Sequence, residues 1–177
     1  MKKYIKSITM AVATLSLWAC LPDDAIFEEN GSHSIVELYN LSSNRSSSAV
    51  YGSRDLSELD YVNLSAEGFD FPVIVNFTGV NGTPEDVTVE LAIDESIVTA
   101  LGAGLYAILP TSAYTLPASN TVTIPKGTNR VEYLIRVNPA VLDDLSQTYA
   151  IGIKITGASK GVISRNFSAG AYLFTLE

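Results

Sequence analysis

An all-β fold is what the sequence predicts: two sheets packed face to face, built from about seven strands with one or two short helical turns. Two observations lead there. Apolar and polar residues alternate with period 2 through most of the chain after residue 34, and Gly-, Pro- and Asn-rich turn signals separate the alternating runs. A third observation, hydrophobic residues at 47%, supplies such strands with enough apolar surface to form a core.

Taken in order, SIVELYN (34–40) is a weak strand candidate and FPVIVNFT (71–78) a strong one. Pro72 sits near the start of that run, where a missing N–H does least harm. In VTVELAID (87–94), Val87, Val89, Leu91 and Ile93 share one face, with Thr88 and Glu90 on the other. Asp94 is placed to cap a short helix through ESIVTALG, with Ile97 and Leu101 at i, i+4 and Gly102 as the stop. TVTI (121–124) and RVEYLIRV (130–137) follow, the second turning Val131, Tyr133, Ile135 and Val137 inward. Asn138-Pro139 starts another short turn, capped by Asn138, with Val141, Leu142 and Leu145 expected to pack inward. YAIGIKIT (149–156) and AYLFTLE (171–177) complete the set. Gly79-Val80-Asn81-Gly82, Pro125-Lys126-Gly127 and Gly157 to Gly161 are the intervening turns, and SSNRSSS (42–48) reads as a loop.

The first residues are of another kind. Lys2, Lys3 and Lys6 precede a short apolar run, Ile8 to Trp18, and small Ala19 precedes Cys20, the one cysteine of the chain. A basic start, an apolar stretch and a small residue at the cut describe a secretory signal peptide. The run is too short for a spanning helix, which needs ~20 apolar residues. Leu17-Trp18-Ala19-Cys20 resembles the bacterial lipobox, which implies lipidation of Cys20 and removal of residues 1–19. Leu21-Pro22-Asp23-Asp24 resembles the acidic signal that follows the lipidated cysteine in Bacteroides-type surface lipoproteins. The expected organisation is a signal peptide (1–19), a lipidated acidic tether (20–34) and one domain (35–177). The expected location is the outer membrane, lipid-anchored and facing the cell exterior. A tether of this length reaches roughly 50 Å at ~3.3–3.6 Å per residue.

Charge narrows the partners. The net charge is −8, and losing the three leading lysines makes the chain more acidic still. Nucleic-acid affinity comes largely from Lys and Arg on phosphates, so no nucleic-acid partner is expected, and the acyl chain is the expected membrane contact. With a lone cysteine no internal disulfide forms, and the core must hold the fold unaided.

Catalytic constellations are not found. His33 is the single histidine and falls in the tether, so neither a nucleophile triad nor a histidine metal cluster can be assembled. Asp55, Glu58 and Asp60 cluster in RDLSELDY, Glu85-Asp86 open a strand, Asp94-Glu95 end it, and Asp143-Asp144 lie in a turn. Each has a capping, turn-forming or solvated role, and none sits in an apolar stretch beside a second acid, as a glycosidase pair requires. Asp60 and Glu67 come nearest. No 12-residue calcium loop and no phosphate-cradling glycine loop is present. The sequence thus predicts no enzyme, no cofactor and no metal. Asn76-Phe77-Thr78 is read as strand alternation.

Aromatics are the remaining handle for a ligand. Sugar sites present aromatic faces bordered by polar groups. Tyr51 and Tyr61 fall near loops and are the candidate ligand-binding residues, whereas Tyr106 and Tyr114 are expected to turn their rings inward at corners of the sandwich.

The order of segments carries a resemblance. DVTVELAIDESIVTAL, YAILPTSAYTLPASNTVTIPKG, RVEYLIRVNPAVLDDLSQTYAIGIKIT and GVISRNFSAGAYLFTLE follow one another as in a Bacteroides-type cell-surface lipoprotein domain of unknown function. That domain stands at the N-terminus of larger glycan-binding and endoglycosidase-like proteins. Tyr106, Leu109-Pro110, Tyr114, Leu116, Val122, Ile124, Pro125 and Gly127 match its order and spacing across residues 35–177. The resemblance implies an immunoglobulin-like β-sandwich and brings no catalytic or binding residues with it. This sequence reaches the domain's last strand at Glu177 and is expected to lack the downstream module. The expected function is a non-catalytic binding or accessory module for glycan. The alternative is an adhesion or envelope-assembly subunit acting through protein contacts, with AYLFTLE as a strand able to pair with a partner.

Overall fold

The computed structural model describes residues 34–39, 41, 51–79 and 82–176, all within the unit His33–Glu177. The signal peptide, Cys20, His33 and the serine-rich loop 42–48 lie outside the described residues.

Among the described residues, eleven strand segments form two sheets. In chain order they are β1 (Ile35–Leu38), β2 (Gly52–Asp55), β3 (Phe69–Thr78), β4 (Val87–Ile93), β5 (Ala107–Ile108), β6 (Tyr114–Thr115), β7 (Thr121–Ile124), β8 (Arg130–Val137), β9 (Tyr149–Ala158), β10 (Val162–Ile163) and β11 (Ala169–Phe174). The first sheet runs β10-β1-β3-β8-β6 and the second β2-β11-β9-β4-β7, with β5 added alongside β9. Most pairs are antiparallel; β1 with β10, β2 with β11 and β5 with β9 are parallel. The all-β sandwich predicted from alternation is the observed fold. The extra segments are mainly two- to four-residue pieces too short to show a period.

Alternation sets the core. Phe71, Val73, Val75 and Phe77 of β3 and Tyr133, Ile135 and Val137 of β8 are buried against Val87, Val89 and Leu91 of β4, Ile151, Ile153 and Ile155 of β9, and Tyr172 and Phe174 of β11. Aromatic rings cluster at one end: Phe69 meets Phe174 edge-on at 5.0 Å, and Phe71 lies 5.6 Å from Tyr172. Such pairs add to the burial of their area.

Among the described residues one α-helix, α1 (Glu95–Leu101), lies on the outer face of the second sheet. The Asp94 carboxylate accepts from the Ser96 amide, and Gly102 closes the helix, as its sequence predicts. Ile97 and Val98 bury themselves against Ala150, Ala171 and Leu173, with Tyr51, Leu101 and Tyr106 at the margin. Gly152 permits this approach, since a Cβ there would fall onto the Asp94 carbonyl and the Ile97 Cβ.

Two expectations are corrected. AYLFTLE is not available to a partner: β11 runs between β2 and β9 with both ladders filled, because Tyr172 and Phe174 point into the core while Ala171 and Leu173 meet the helix side. In the 3-10 turn Pro139–Val141, capped by Asn138, Leu142 and Leu145 pack against the core but Val141 is 45% exposed, since the tight turn swings it outward.

Candidate functional site

The site forms where β3 and β8 diverge. Their antiparallel register pairs Asn76 with Arg130, and β1 brings Glu37 beside Asn76. With Val75 and Phe77 committed to the core, period 2 turns Asn76 and Arg130 to the outer face. Directly after β1, the Tyr39 amide donates to the Ile74 carbonyl at 2.8 Å, which keeps the chain against β3. The Tyr39 ring then lies under the guanidinium, with Arg130 Cζ 3.6 Å from the ring centroid.

These side chains are linked in a row. Arg130 Nε donates to Asn76 Oδ1 at 3.3 Å, and Asn76 Nδ2 donates to Glu37 Oε1 at 3.2 Å. Asn76 is only 8% exposed, and both ends of its amide are satisfied.

Beyond the row lies a shallow, widely open groove, lined by residues 76–79 on one side and 128–130 on the other. Its walls are fixed. Asn129 Nδ2 donates to the Phe77 and Gly79 carbonyls at 3.0 and 3.3 Å, and the Phe77 amide donates to the Asn129 carbonyl at 2.7 Å. At the floor of the turn the Thr83 amide donates to the Thr128 carbonyl and the Gly127 amide to the Thr83 carbonyl. Gly82 has φ +72, and a Cβ there would meet the Gly127 backbone, so this turn requires glycine. Ile35 and Val162, paired in register and 37% and 51% exposed, border the same edge next to Thr78. The Thr78 hydroxyl is tied to the Ile35 backbone and the Thr128 hydroxyl donates to the Pro125 carbonyl, so these side chains offer a ligand chiefly acceptor oxygens, beside the guanidinium and flanking aliphatics.

The residues that sequence reasoning favoured lie elsewhere. Tyr61 follows the 3-10 turn Leu56–Glu58 and is 62% exposed. Tyr51 is half-buried against the helix-side cluster. Neither lines the groove, and of the two only Tyr61 offers a largely open ring. Tyr106 and Tyr114 are partly buried against the helix-side and main clusters, and burial followed by the Glu95 carboxylate pushes the Tyr114 hydroxyl pKa up. Reading Asn76 as alternation was right as geometry but missed its position in the row. Cross-strand register, which places Glu37, Asn76 and Arg130 side by side, is not written in any one segment.

Carboxylates take structural partners. Asp55 caps its 3-10 turn, Asp86 accepts the Lys126 amide at 2.8 Å, and Glu85 pairs with Lys160 at 3.1 Å. The Ser146 hydroxyl and amide hold the Asp144 carboxyl below its usual range. Asp60 and Glu67 are exposed.

A family model described as a "-like, N-terminal domain" matches residues 45–162, about two thirds of the chain. The chain belongs to this family. It is the kind of N-terminal domain that the order of strands and turns resembles. Among solved structures, a candidate carbohydrate binding protein from Bacteroides ovatus is similar over 80% of this chain and 36% of its own, with 13% identity and a TM-score of 0.55. EndoBT-3987 of Bacteroides thetaiotaomicron, solved with a Man5GlcNAc product, is similar over 70% of this chain and 28% of its own, at 17% identity and TM-score 0.55. An auxiliary nutrient binding protein from the same species is similar over 78% of this chain and 48% of its own, at 14% identity and TM-score 0.53. The chain therefore spans between 28% and 48% of the length of these structures, and identities this low establish the shared fold alone. Comparison with curated proteins returns no match.

Proposed function

We propose that this protein is a lipid-anchored surface module of the outer membrane that binds glycan and does not cleave it. The groove between β3 and β8 carries this reading: its hydroxyl, amide and guanidinium groups stand on rigid strands beside exposed aliphatic side chains. Hydrogen-bonding groups on a fixed frame meet sugar hydroxyls with little ordering cost. The company of the fold agrees, since similar structures include a candidate carbohydrate binding protein and a nutrient binding protein. Cys20 supplies the anchor and the acidic tether the reach to extracellular polymer, with Tyr61 as a further exposed ring outside the groove.

The test is affinity electrophoresis and isothermal titration of the purified protein against a broad panel of neutral and acidic polysaccharides. Retardation by at least one polymer, weakened by bulky substitution at Thr78 or Thr128, is expected. No retardation by any member overturns the reading. Labelled palmitate should join the wild-type protein and not Cys20→Ser, and protease added to intact cells should remove the domain. A protected domain would place it on the inner side.

A further inference from the structure

The chemical character of the ligand follows from how Arg130 is held. A guanidinium has five N–H donors in one plane. Here Arg130 Cζ stands 3.6 Å over the Tyr39 ring and its Nε donates to Asn76, two contacts that restrain the tilt and rotation of this exposed side chain. Among the described residues, the four N–H bonds of the terminal nitrogens take no acceptor, and Arg130 joins none of the ion pairs. Arg130 is itself one of the residues that line the groove.

The neighbouring acids are kept from this edge. Glu37 lies two strands from Arg130, ~9.6 Å between backbones at the usual strand spacing. Its carboxylate is occupied by the intervening Asn76 amide. Glu132 stands two residues along on the same face, opposite Ile74, and forms no ion pair with Arg130. Among the described residues, this acidic protein has thus set a stacked cation beside the groove without a carboxylate of its own. A planar fork held this way matches two oxygens of a carboxylate or sulfate and gains most from them, because the usual loss of side-chain freedom has already been met by folding.

We propose that the ligand of the groove is an anionic glycan, one whose carboxylate or sulfate seats in plane against the terminal nitrogens of Arg130 while its hydroxyls donate to the side-chain oxygens of Thr78, Thr128 and Asn129, whose own donors are held by the backbone. This rests on the glycan-binding reading and narrows its substrate class. The anion's source is a uronic acid or a sulfated sugar.

The experiment is titration of the full chain with oligogalacturonides, with the same oligomers after reduction of their carboxyl groups, and with chondroitin in sulfated and unsulfated forms. Wild type is expected to bind an acidic member about 10- to 100-fold more tightly than its neutral or less charged counterpart, the range of a charge-assisted hydrogen bond. Arg130→Gln should bring the two to equality, lowering affinity for the acidic form far more than for the neutral one, and Arg130→Lys should restore only part of the preference. Tyr39→Leu, which removes the stacking surface but keeps the charge, should cut the preference as well. Preference for the galacturonide pair assigns the anion to a carboxylate, and for the chondroitin pair to a sulfate. Equal affinity within both pairs, or a preference that survives Arg130→Gln, overturns the inference while leaving glycan binding in place. Absence of binding to every polymer overturns both. Unchanged melting temperature of the variants shows that the losses come from the site.

Discussion

Lys154 Nζ lies 2.7 Å from Asp94 Oδ2, while Oδ1 of the same carboxylate accepts the Ser96 amide and hydroxyl. One side chain thus caps the α-helix and ties it to β9. The lysine bond, then the serine hydroxyl, hold the Asp94 pKa at about 2, below the ordinary 3.8. A carboxylate whose pKa falls on folding contributes stability in full above its unfolded value. That contribution is lost as pH drops from about 4 towards about 2. Because the lysine is 42% exposed, solvent screening reduces what the pair is worth. Asp94→Ala should cost about 1–2 kcal/mol at neutral pH, and Asp94→Asn, which keeps an acceptor for Ser96, less. Urea unfolding at pH 7 and near pH 2 checks this, since the gap between wild type and Asp94→Asn should close at the acid end.

Gly152 is the position where the helix rests on the sheet. Gly152→Ala drives a methyl group into the Asp94 carbonyl and the Ile97 side chain, both held by neighbouring bonds. Overpacking of this kind should cost about 1–3 kcal/mol. Thermal unfolding should show a lowered midpoint, with hydrogen exchange in residues 95–101 accelerated before the rest of the domain.

Tyr172 is buried in the sandwich, and its hydroxyl has no hydrogen-bond partner among the described residues. Burial raises its pKa above the ordinary tyrosine value, so it stays neutral throughout the working range. An unsatisfied buried hydroxyl carries its desolvation cost without return. Tyr172→Phe should therefore be neutral or stabilising, by about 1 kcal/mol, and the ring contact with Phe71 should persist. Chemical denaturation of the single variant decides it, and a clear loss of stability would show that the hydroxyl is bonded in solution.

Tyr51 and Tyr61, alike as sequence candidates, should part company on substitution. Tyr51→Ala removes a ring from the helix-side cluster and should destabilise by about 1–2 kcal/mol, whereas Tyr61→Ala, on an open surface, should stay within about 0.5 kcal/mol. Calorimetry of the two variants makes the comparison. Any effect of Tyr61→Ala on polysaccharide binding would then report contact rather than folding.

What sequence alone carried was the part governed by short-range period. The run 87–94 gave β4 and the capped helix after it, and 130–137 gave β8, because side-chain alternation and capping act within a few residues. β2 escaped notice because Gly52-Ser53-Arg54-Asp55 has no apolar alternation and is held by residues more than a hundred positions away. The covered outer face of β9 was also missed, although small Ala150 and Gly152 at outward positions were its signal. The groove was the least visible part. Its row of Glu37, Asn76 and Arg130 joins three distant segments through register, and a stacked arginine reads in one dimension as an ordinary strand end.

The place of β11 between β2 and β9 also governs when the domain can be made. Residues 170–173 supply the ladder for residues 52–55, so β2 cannot join the second sheet until β11 has been made. A nascent chain stopped before residue 169 would hold β9 with a bare apolar flank and β2 with nothing to pair against. Closure of this sheet then waits on residues 169–174, and a slow step of long loop closure is built into the topology.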